Sequence, residues 1–358
     1  MEKKNTKVSF KNKVIYAGMD VHLKNWVVTI RTGGLAIKTM SMDPDPETLV
    51  KYLHHHFPDG TYKSNYEAGF SGFWAHRKLV RLGVENIVIN PADVPTTGSE
   101  KTQINDKIDS RKLARGLETG DLHGIYIPTE EQEAIRSLCR LRQNYTWDMT
   151  AQKNRIKSQA HRLGLQLPKQ SETAHWSRRF IDYLMGLTYP TTIDKMVMEE
   201  LITVLNQKRQ TIAGIVKQLR ALVKNDEELK KTISLLMSVP GVGFITAMTF
   251  KTELIDMKRF KHLDQLSNYV GLVPATHSSG QKERTLGLKD QHQPYLRHLL
   301  IESAWTAARN DPAMTSCFAE LQTRMKSNEA IIRIAKKLLN RIMTVWKNET
   351  PYVCSVVK

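Results

Sequence analysis

Apolar residues fall into two spacings along this chain, and the change from one to the other divides it. Over the first third the apolar runs are short. Val14-Ile-Tyr-Ala-Gly-Met ends on Asp20 and Trp26-Val-Val-Thr-Ile30 follows closely; Thr61 to Glu67-Ala-Gly69 reads as another strand finishing on an acid, and Val84 to Pro91 as a third such strand. Runs of that length, rich in β-branched and aromatic residues, predict strands, the first two as an antiparallel hairpin. Pro44-Asp-Pro46 opens a helix over 47–56 that Pro58-Asp-Gly60 closes, and a further helix is expected over 71–82 with Phe73 and Trp74 in the core. After a basic loop, Lys101 to Ala114 reads as the opening of another helix.

From Thr129 the apolar spacing becomes three and four. Pro128 closes the first domain, and Thr129-Glu-Glu-Gln is an N-cap with acids in the first turn. A helix over 130–164 carries Leu138, Leu141, Tyr145, Met149, Ile156 and Ala160 at helical spacing, among arginines and lysines from Arg136 to Arg162. An interruption over 164–186 holds Trp176-Ser-Arg-Arg179 and a weak helix, and a second long helix over 193–225 repeats the spacing through Leu201, Leu205, Ile215, Leu219 and Leu222. Such a pair predicts an antiparallel, coiled-coil-like connector that holds the domains apart or forms a dimer interface with nucleic acid along its basic sides.

Further on, Leu235 to Met248 reads as helix, tight Gly241-Val-Gly243 turn and helix. Glycines there leave backbone N–H groups free at a helix N-terminus, which suits a phosphate, as in a helix-hairpin-helix; they also permit a plain αα turn. A helix from Phe260 that stops at Pro274, a polar loop over 275–284 and a basic amphipathic helix over 328–347 follow. The expected fold class is α/β plus α, with domains over 1–128, 129–230 and 231–358.

Composition narrows the partners. Lys plus Arg number 53 against 36 Asp plus Glu in 358 residues, a formal net charge of +17, which argues for a polyanionic partner and first of all nucleic acid. No apolar run approaches the ~20 residues of a spanning helix, and no signal-peptide core follows Met1-Glu-Lys-Lys-Asn, so a soluble, cytoplasmic protein is expected. The basic segment from Met1 to Asn12 is expected to be a mobile tail. Cys139, Cys317 and Cys354 lack metal-ligand spacing and are expected to be packing residues in a reducing compartment. His54-His-His56 cannot converge on one ion, because consecutive helical side chains diverge by about 100°.

The candidate chemistry lies in the acids. Asp106 and Asp109 are one helical turn apart and share a face, amid Lys101, Lys107, Arg111, Lys112 and Arg115. Taken alone the pair is explained as a solvated first turn favouring the helix start. Together with Asp20 and Glu67 at strand ends, the layout of hairpin, strand, helix, strand and helix is that of a ribonuclease H-like nuclease. Gly18-Met-Asp20-Val-His, Glu67-Ala-Gly69, Ile89-Asn-Pro91 and Lys101 to Ala114 resemble the N-terminal RuvC-like domain of the IS110-family transposases, the DEDD recombinases. Gly271-Leu-Val-Pro274, Ser278-Ser279-Gly280, Arg284 and Tyr295-Leu-Arg297 resemble that family's C-terminal domain.

The resemblance implies a tetrad of Asp20, Glu67, Asp106 and Asp109 holding Mg²⁺, with Mn²⁺ as the substitute, and a serine nucleophile at Ser279, or Ser278 if the register slips by one. It implies donor and target DNA as substrates, a structured guide RNA (the bridge RNA), a homodimer or homotetramer, and a bacterial or archaeal, nucleoid-associated protein. Gly241, Gly243, Lys282, Arg284 and Arg297 are the candidate nucleic-acid contacts. The alternatives are a metal-dependent junction-resolving nuclease without serine chemistry, and a non-catalytic nucleic-acid-binding protein.

Overall fold

The computed structural model describes residues 9–95, 105–169, 174–279, 282–288 and 293–354, with the backbone alone over 275–279 and 282–286. Lys101, the first eight residues of the tail and Gly280 lie outside the described residues. The chain divides into two compact units, Met1–Ile127 and Pro128–Lys358.

The first unit is built on one mixed sheet. Its elements are β1 (Val14–Val21), β2 (Trp26–Thr32), β3 (Leu35–Met42), α1 (Pro46–His56), β4 (Thr61–Glu67), α2 (Trp74–Arg81), β5 (Glu85–Ile89) and α3 (Asp106–Thr119). The strand order is β3-β2-β1-β4-β5, with β1 central, antiparallel to β2 and parallel to β4, and β4 parallel to β5. β3 is an addition to the sequence reading. It is an edge strand exposed over much of its length, so it lacks the apolar alternation that announces a half-buried strand. The tail is anchored from Phe10 on, whose ring lies 5.1 Å from that of Phe57.

Strand alternation gives the sheet two unlike faces. Ile15, Ala17 and Met19 of β1, with Val28 and Ile30 of β2, join Leu49 and Leu53 of α1 and Ala75 and Leu79 of α2 in one buried cluster. The opposite face carries Gly18, Thr29 and Asn65, and α3 packs there. Asn105 caps α3, its side chain accepting from the Lys107 N–H, and Gly120 ends it in the left-handed region. Trp74 corrects the sequence reading: it is 47% exposed, although its ring lies 6.1 Å from that of buried Trp26.

The second unit is largely helical. It comprises α4 (Glu130–Arg162), α5 (Arg178–Met185), α6 (Thr192–Asn225), α7 (Glu227–Met237), α8 (Phe244–Leu254), α9 (Leu263–Val270), the hairpin β6 (Pro274–Ser279) and β7 (Lys282–Leu288), α10 (Pro294–Asn310), α11 (Pro312–Gln322) and α12 (Ser327–Asn348). Thr129 and Gln132 form a reciprocal capping box at the start of α4. α4 and α6 run antiparallel: Asp148 meets Lys208 at 3.2 Å, Gln152 donates to the Leu201 carbonyl at 2.8 Å, and Arg162 approaches Asp194 at 3.8 Å. Ile156 and Ala160 share a small core with Phe180, Leu184, Met198, Ile202 and Leu205.

Several expectations are corrected here. Leu141 and Leu222, assigned to the apolar seam, are 43% and 37% exposed. The arginines at the start of α4 are not a free cationic face, since Arg140 grips buried Glu253 of α8 through two hydrogen bonds of 2.7 Å and Arg136 donates to the Thr252 carbonyl at 2.9 Å. The polar stretch 275–284 is a β-hairpin rather than a loop, and the helix ahead of it ends at Gly271, φ +82°, before Pro274 is reached. Cys139 is a packing residue, its thiol pushed by burial up to about 11, whereas Cys354 is exposed.

Candidate functional site

The four acids named from sequence are brought together by the sheet and α3. Met19 of β1 pairs with Tyr66 of β4, and one residue further along the same parallel strands stand Asp20 and Glu67. Asp20 is two residues beyond Gly18, and Glu67 two beyond Asn65, so alternation puts both carboxylates on the face that α3 covers. α3 is held there by backbone proximity. A Cβ on Gly18 would lie 2.1 Å from the Ala114 nitrogen and 2.4 Å from the Ser110 carbonyl oxygen, so the helix crosses β1 where only glycine fits. Two buried bonds fix the crossing: Thr29 Oγ1 and Ser110 Oγ are 2.9 Å apart, and Asn65 Nδ2 donates to the Leu113 carbonyl at 2.9 Å. The first turn of α3, with Asp106 and Asp109, then falls beside the ends of β1 and β4.

The electrostatics agree with this convergence. Burial raises the Asp20 carboxyl above its ordinary value; the neighbouring His22 offsets part of the rise, and the charges of Asp106 and Asp109 add to it. Burial likewise raises Glu67, helped by Asp109 and Asp20 and opposed by Lys112. Lys112, itself buried, donates to Asp109 Oδ1 at 3.0 Å. Acids that raise one another in this way form a site that a further positive charge would stabilise.

The donor set suits a hard divalent ion. His22 Nε2 lies 3.2 Å from Asp20 Oδ2 and 3.8 Å from Asp106 Oδ2. Asp20, His22 and Asp106 each offer a ligand atom within 4.8 Å of the others, a span that ligands ~2.0–2.6 Å from a shared ion would occupy. Carboxylate oxygens with one imidazole fit Mg²⁺ or Mn²⁺. Sequence reasoning quoted His22 in its motif without giving it a part in the site. Its one signal was its place two residues after Asp20, and the tight return from β1 to β2 is what turns it back toward that acid.

The remaining residues lie in the second unit. Ser279 ends β6 and pairs with Lys282 at the start of β7; Ser278 pairs with Glu283, and Arg284 with His277. Arg297 of α10 donates to the Gly271 carbonyl at 3.4 Å. Gly241, φ +87°, is accounted for by packing, since a Cβ there would lie 2.3 Å from the Ser303 carbonyl oxygen of α10. Gly243 is the exposed N-cap of α8, without a side-chain cap.

Two family models match the chain in the regions that carry these residues. One, described as the DEDD transposase of IS110, covers residues 17–163, and the other, described as the transposase IS116/IS110/IS902 family, covers residues 233–319. The chain belongs to the IS110 family of transposases. The transposase for insertion sequence element IS1111A of Coxiella burnetii is 28% identical over 299 residues, 80% of this chain and 78% of its own length. The transposase for insertion sequence element IS1533 of Leptospira borgpetersenii is 24% identical over 349 residues, 91% of this chain and 96% of its own length. The protein y4qE of Sinorhizobium fredii is 29% identical over 244 residues, 67% of this chain; the match spans only 57% of y4qE. DEDD transposases depend on a divalent metal, and the acidic end of the sheet is the candidate for such a site. No helix among the described residues is long and apolar enough to cross a membrane.

Proposed function

We propose that this IS110-family transposase cuts and rejoins DNA strands of an insertion sequence with both units of the chain. The observation that carries the reading is the convergence of Asp20, Glu67, Asp106 and Asp109 on one face of the sheet, with two of the carboxyls raised by burial and by one another. These acids would hold Mg²⁺, or Mn²⁺ in its place. Such an ion, when bound, polarises the scissile phosphate and stabilises the leaving oxygen. Gly18, Thr29 and Asn65 keep α3 seated so that Asp106 and Asp109 meet the strand-end acids, and Lys112 holds Asp109 in place.

Ser279 supplies the nucleophile. Its hydroxyl oxygen forms a bond to phosphorus as the bond to the leaving strand breaks and its electron pair departs on that strand's oxygen. The hydroxyl proton passes to a base or to solvent. Attack by a strand hydroxyl on the resulting phosphoserine reverses the exchange, so rejoining needs no external energy. Family resemblance and the net charge support a bridge RNA as the guide that reads donor and target DNA, and an oligomer, dimer or tetramer, as the working form.

Two variants test this. Asp106→Asn is expected to lose DNA cleavage in Mg²⁺, and unchanged cleavage would mean that the acids carry no metal. Ser279→Ala is expected to lose the covalent protein–DNA adduct together with strand rejoining. Rejoining that survives would refute the serine step, and hydrolysis that survives alone would assign the attack to water, as in a junction-resolving nuclease.

A further inference from the structure

Some basic residues of the long helical pair have carboxylate partners: Arg140 is bound to Glu253, Lys208 to Asp148, and Arg162 is near Asp194. Lys153, Lys157 and Arg209 are instead gathered around one residue. Lys153 and Lys157, one turn apart on α4, place their ammonium groups 5.7 Å and 5.8 Å from the ring centre of Trp176. Arg209 of α6 donates through Nη2 to the Trp176 carbonyl, with Nη1 3.5 Å from Asn206 Oδ1. Among the described residues no carboxylate pairs with any of the three.

This is an unfavourable arrangement for a surface whose only task is to fold. Like charges gathered on one indole repel, and the crowding shows in Lys153, whose ammonium is lowered first by burial and then by the charges of Arg209 and Lys157. Trp176 itself holds a φ of +70°, a conformation that a bulky residue adopts only when its surroundings impose it. Those surroundings are Arg209 at its carbonyl and Phe180, whose ring lies 5.3 Å away in an edge-on contact. The cluster is thus built and held, with its positive charge uncompensated.

We propose that Lys153, Lys157 and Arg209, gathered around Trp176, form a binding site for the phosphodiester backbone of a nucleic acid. This rests on the reading of the chain as a nucleic-acid enzyme and adds a defined place where a strand is held outside the acidic site. Phosphate oxygens supply the counter-charge that the cluster lacks, and the lysines, tethered at one end along the indole, reach them as point charges.

The test is binding as a function of salt, measured on the full chain in the Asp106→Asn background without divalent metal. The probes are a duplex DNA oligonucleotide and a folded RNA hairpin, each of arbitrary sequence. Replacing both lysines, Lys153→Gln with Lys157→Gln, is expected to flatten the dependence of log affinity on log salt by about 0.9 per lost contact for duplex DNA, with a flattening of the same order for the RNA hairpin. A control pair, Lys230→Gln with Lys336→Gln, removes the same charge where each lysine is already paired, with Glu227 and Asp264. Flattening on the RNA alone or on the DNA alone supports the site and names its strand, and flattening on both assigns it to either backbone. A slope unchanged from the parent, or changed equally by the control pair, overturns the site while leaving the enzyme reading intact. A parent that binds neither probe overturns both. Matching thermal unfolding curves for parent and variants exclude a folding defect as the cause.

Discussion

Substituting Gly18 by alanine adds one methyl group where α3 crosses β1. At 2.1 Å from the Ala114 nitrogen, 2.4 Å from the Ser110 carbonyl oxygen and 2.7 Å from the Ala114 Cα, the new carbon meets backbone on every side, so no rotamer change can relieve it. Restoring ordinary contact, ~3.5–4.0 Å between carbons, requires α3 to withdraw from the sheet by more than about 1 Å. The overpacking should cost about 1–3 kcal/mol. Strain on the Thr29–Ser110 and Asn65–Leu113 bonds should add up to about 1 kcal/mol each. The larger effect falls on function, because Asp106 and Asp109 ride on the first turn of the same rigid helix. Mg²⁺ accepts ligands only near ~2.0–2.1 Å, and a displacement of ~1 Å in a positioned group lowers a rate by on the order of 10²-fold. Cleavage of donor DNA in Mg²⁺ by Gly18→Ala should therefore fall by about that factor at a temperature where circular dichroism shows the variant folded. Cleavage within about twofold of the parent would refute the claim that backbone contact at Gly18 sets the position of the acids.

Two further predictions concern stability. Without metal, Asp20 and Glu67 have folded-state values raised above their ordinary 3.8 and 4.5, so the native state binds more protons than the unfolded one as pH climbs through that range and stability falls with rising pH. In EDTA, Asp20→Asn with Glu67→Gln should match the parent in melting temperature near pH 4 and exceed it increasingly toward pH 7; a constant or reversed difference would mean that burial and the neighbouring acids do not raise these two carboxyls in the folded state. In the second unit, Glu253→Ala leaves the half-exposed Arg140 and the more buried Arg136 without their carboxylate, and urea unfolding should show a loss of about 2 kcal/mol, below the range for a fully buried pair because water reaches Arg140. An unchanged midpoint would contradict the structural role given to those arginines.

The parts of the fold that were legible from sequence are those in which burial imposes a period. β1, β2 and β5 bury side chains in the core and show as apolar runs, and β4 shows through its alternating aromatics Tyr62 and Tyr66; α4, α6 and α12 show as spacings of three and four. β3 and the β6–β7 hairpin escaped because their sequences, such as Lys-Thr-Met-Ser and Lys-Glu-Arg-Thr, are polar and leave little apolar alternation to read. α10 and α11 could have been read from Pro294 and Pro312 in their first turns and from the Asp311 cap, which accepts from the Ala313 and Met314 N–H groups. Of the site, the two strand-end acids and the one-turn spacing of Asp106 and Asp109 were visible locally. What sequence could not convey is which sheet face α3 covers. That depends on Gly18, Thr29 and Asn65, three residues from different strands that are unremarkable until the strands are side by side.

The account stands on the acidic end of that sheet being a cation site, and calorimetric titration of Mn²⁺ into the metal-free protein addresses it most directly. Saturable binding by the parent is predicted, weakened at least about tenfold by each of Asp20→Asn, Glu67→Gln, Asp106→Asn and Asp109→Asn. A parent that takes up no ion, or four variants that bind it as the parent does, would contradict the account.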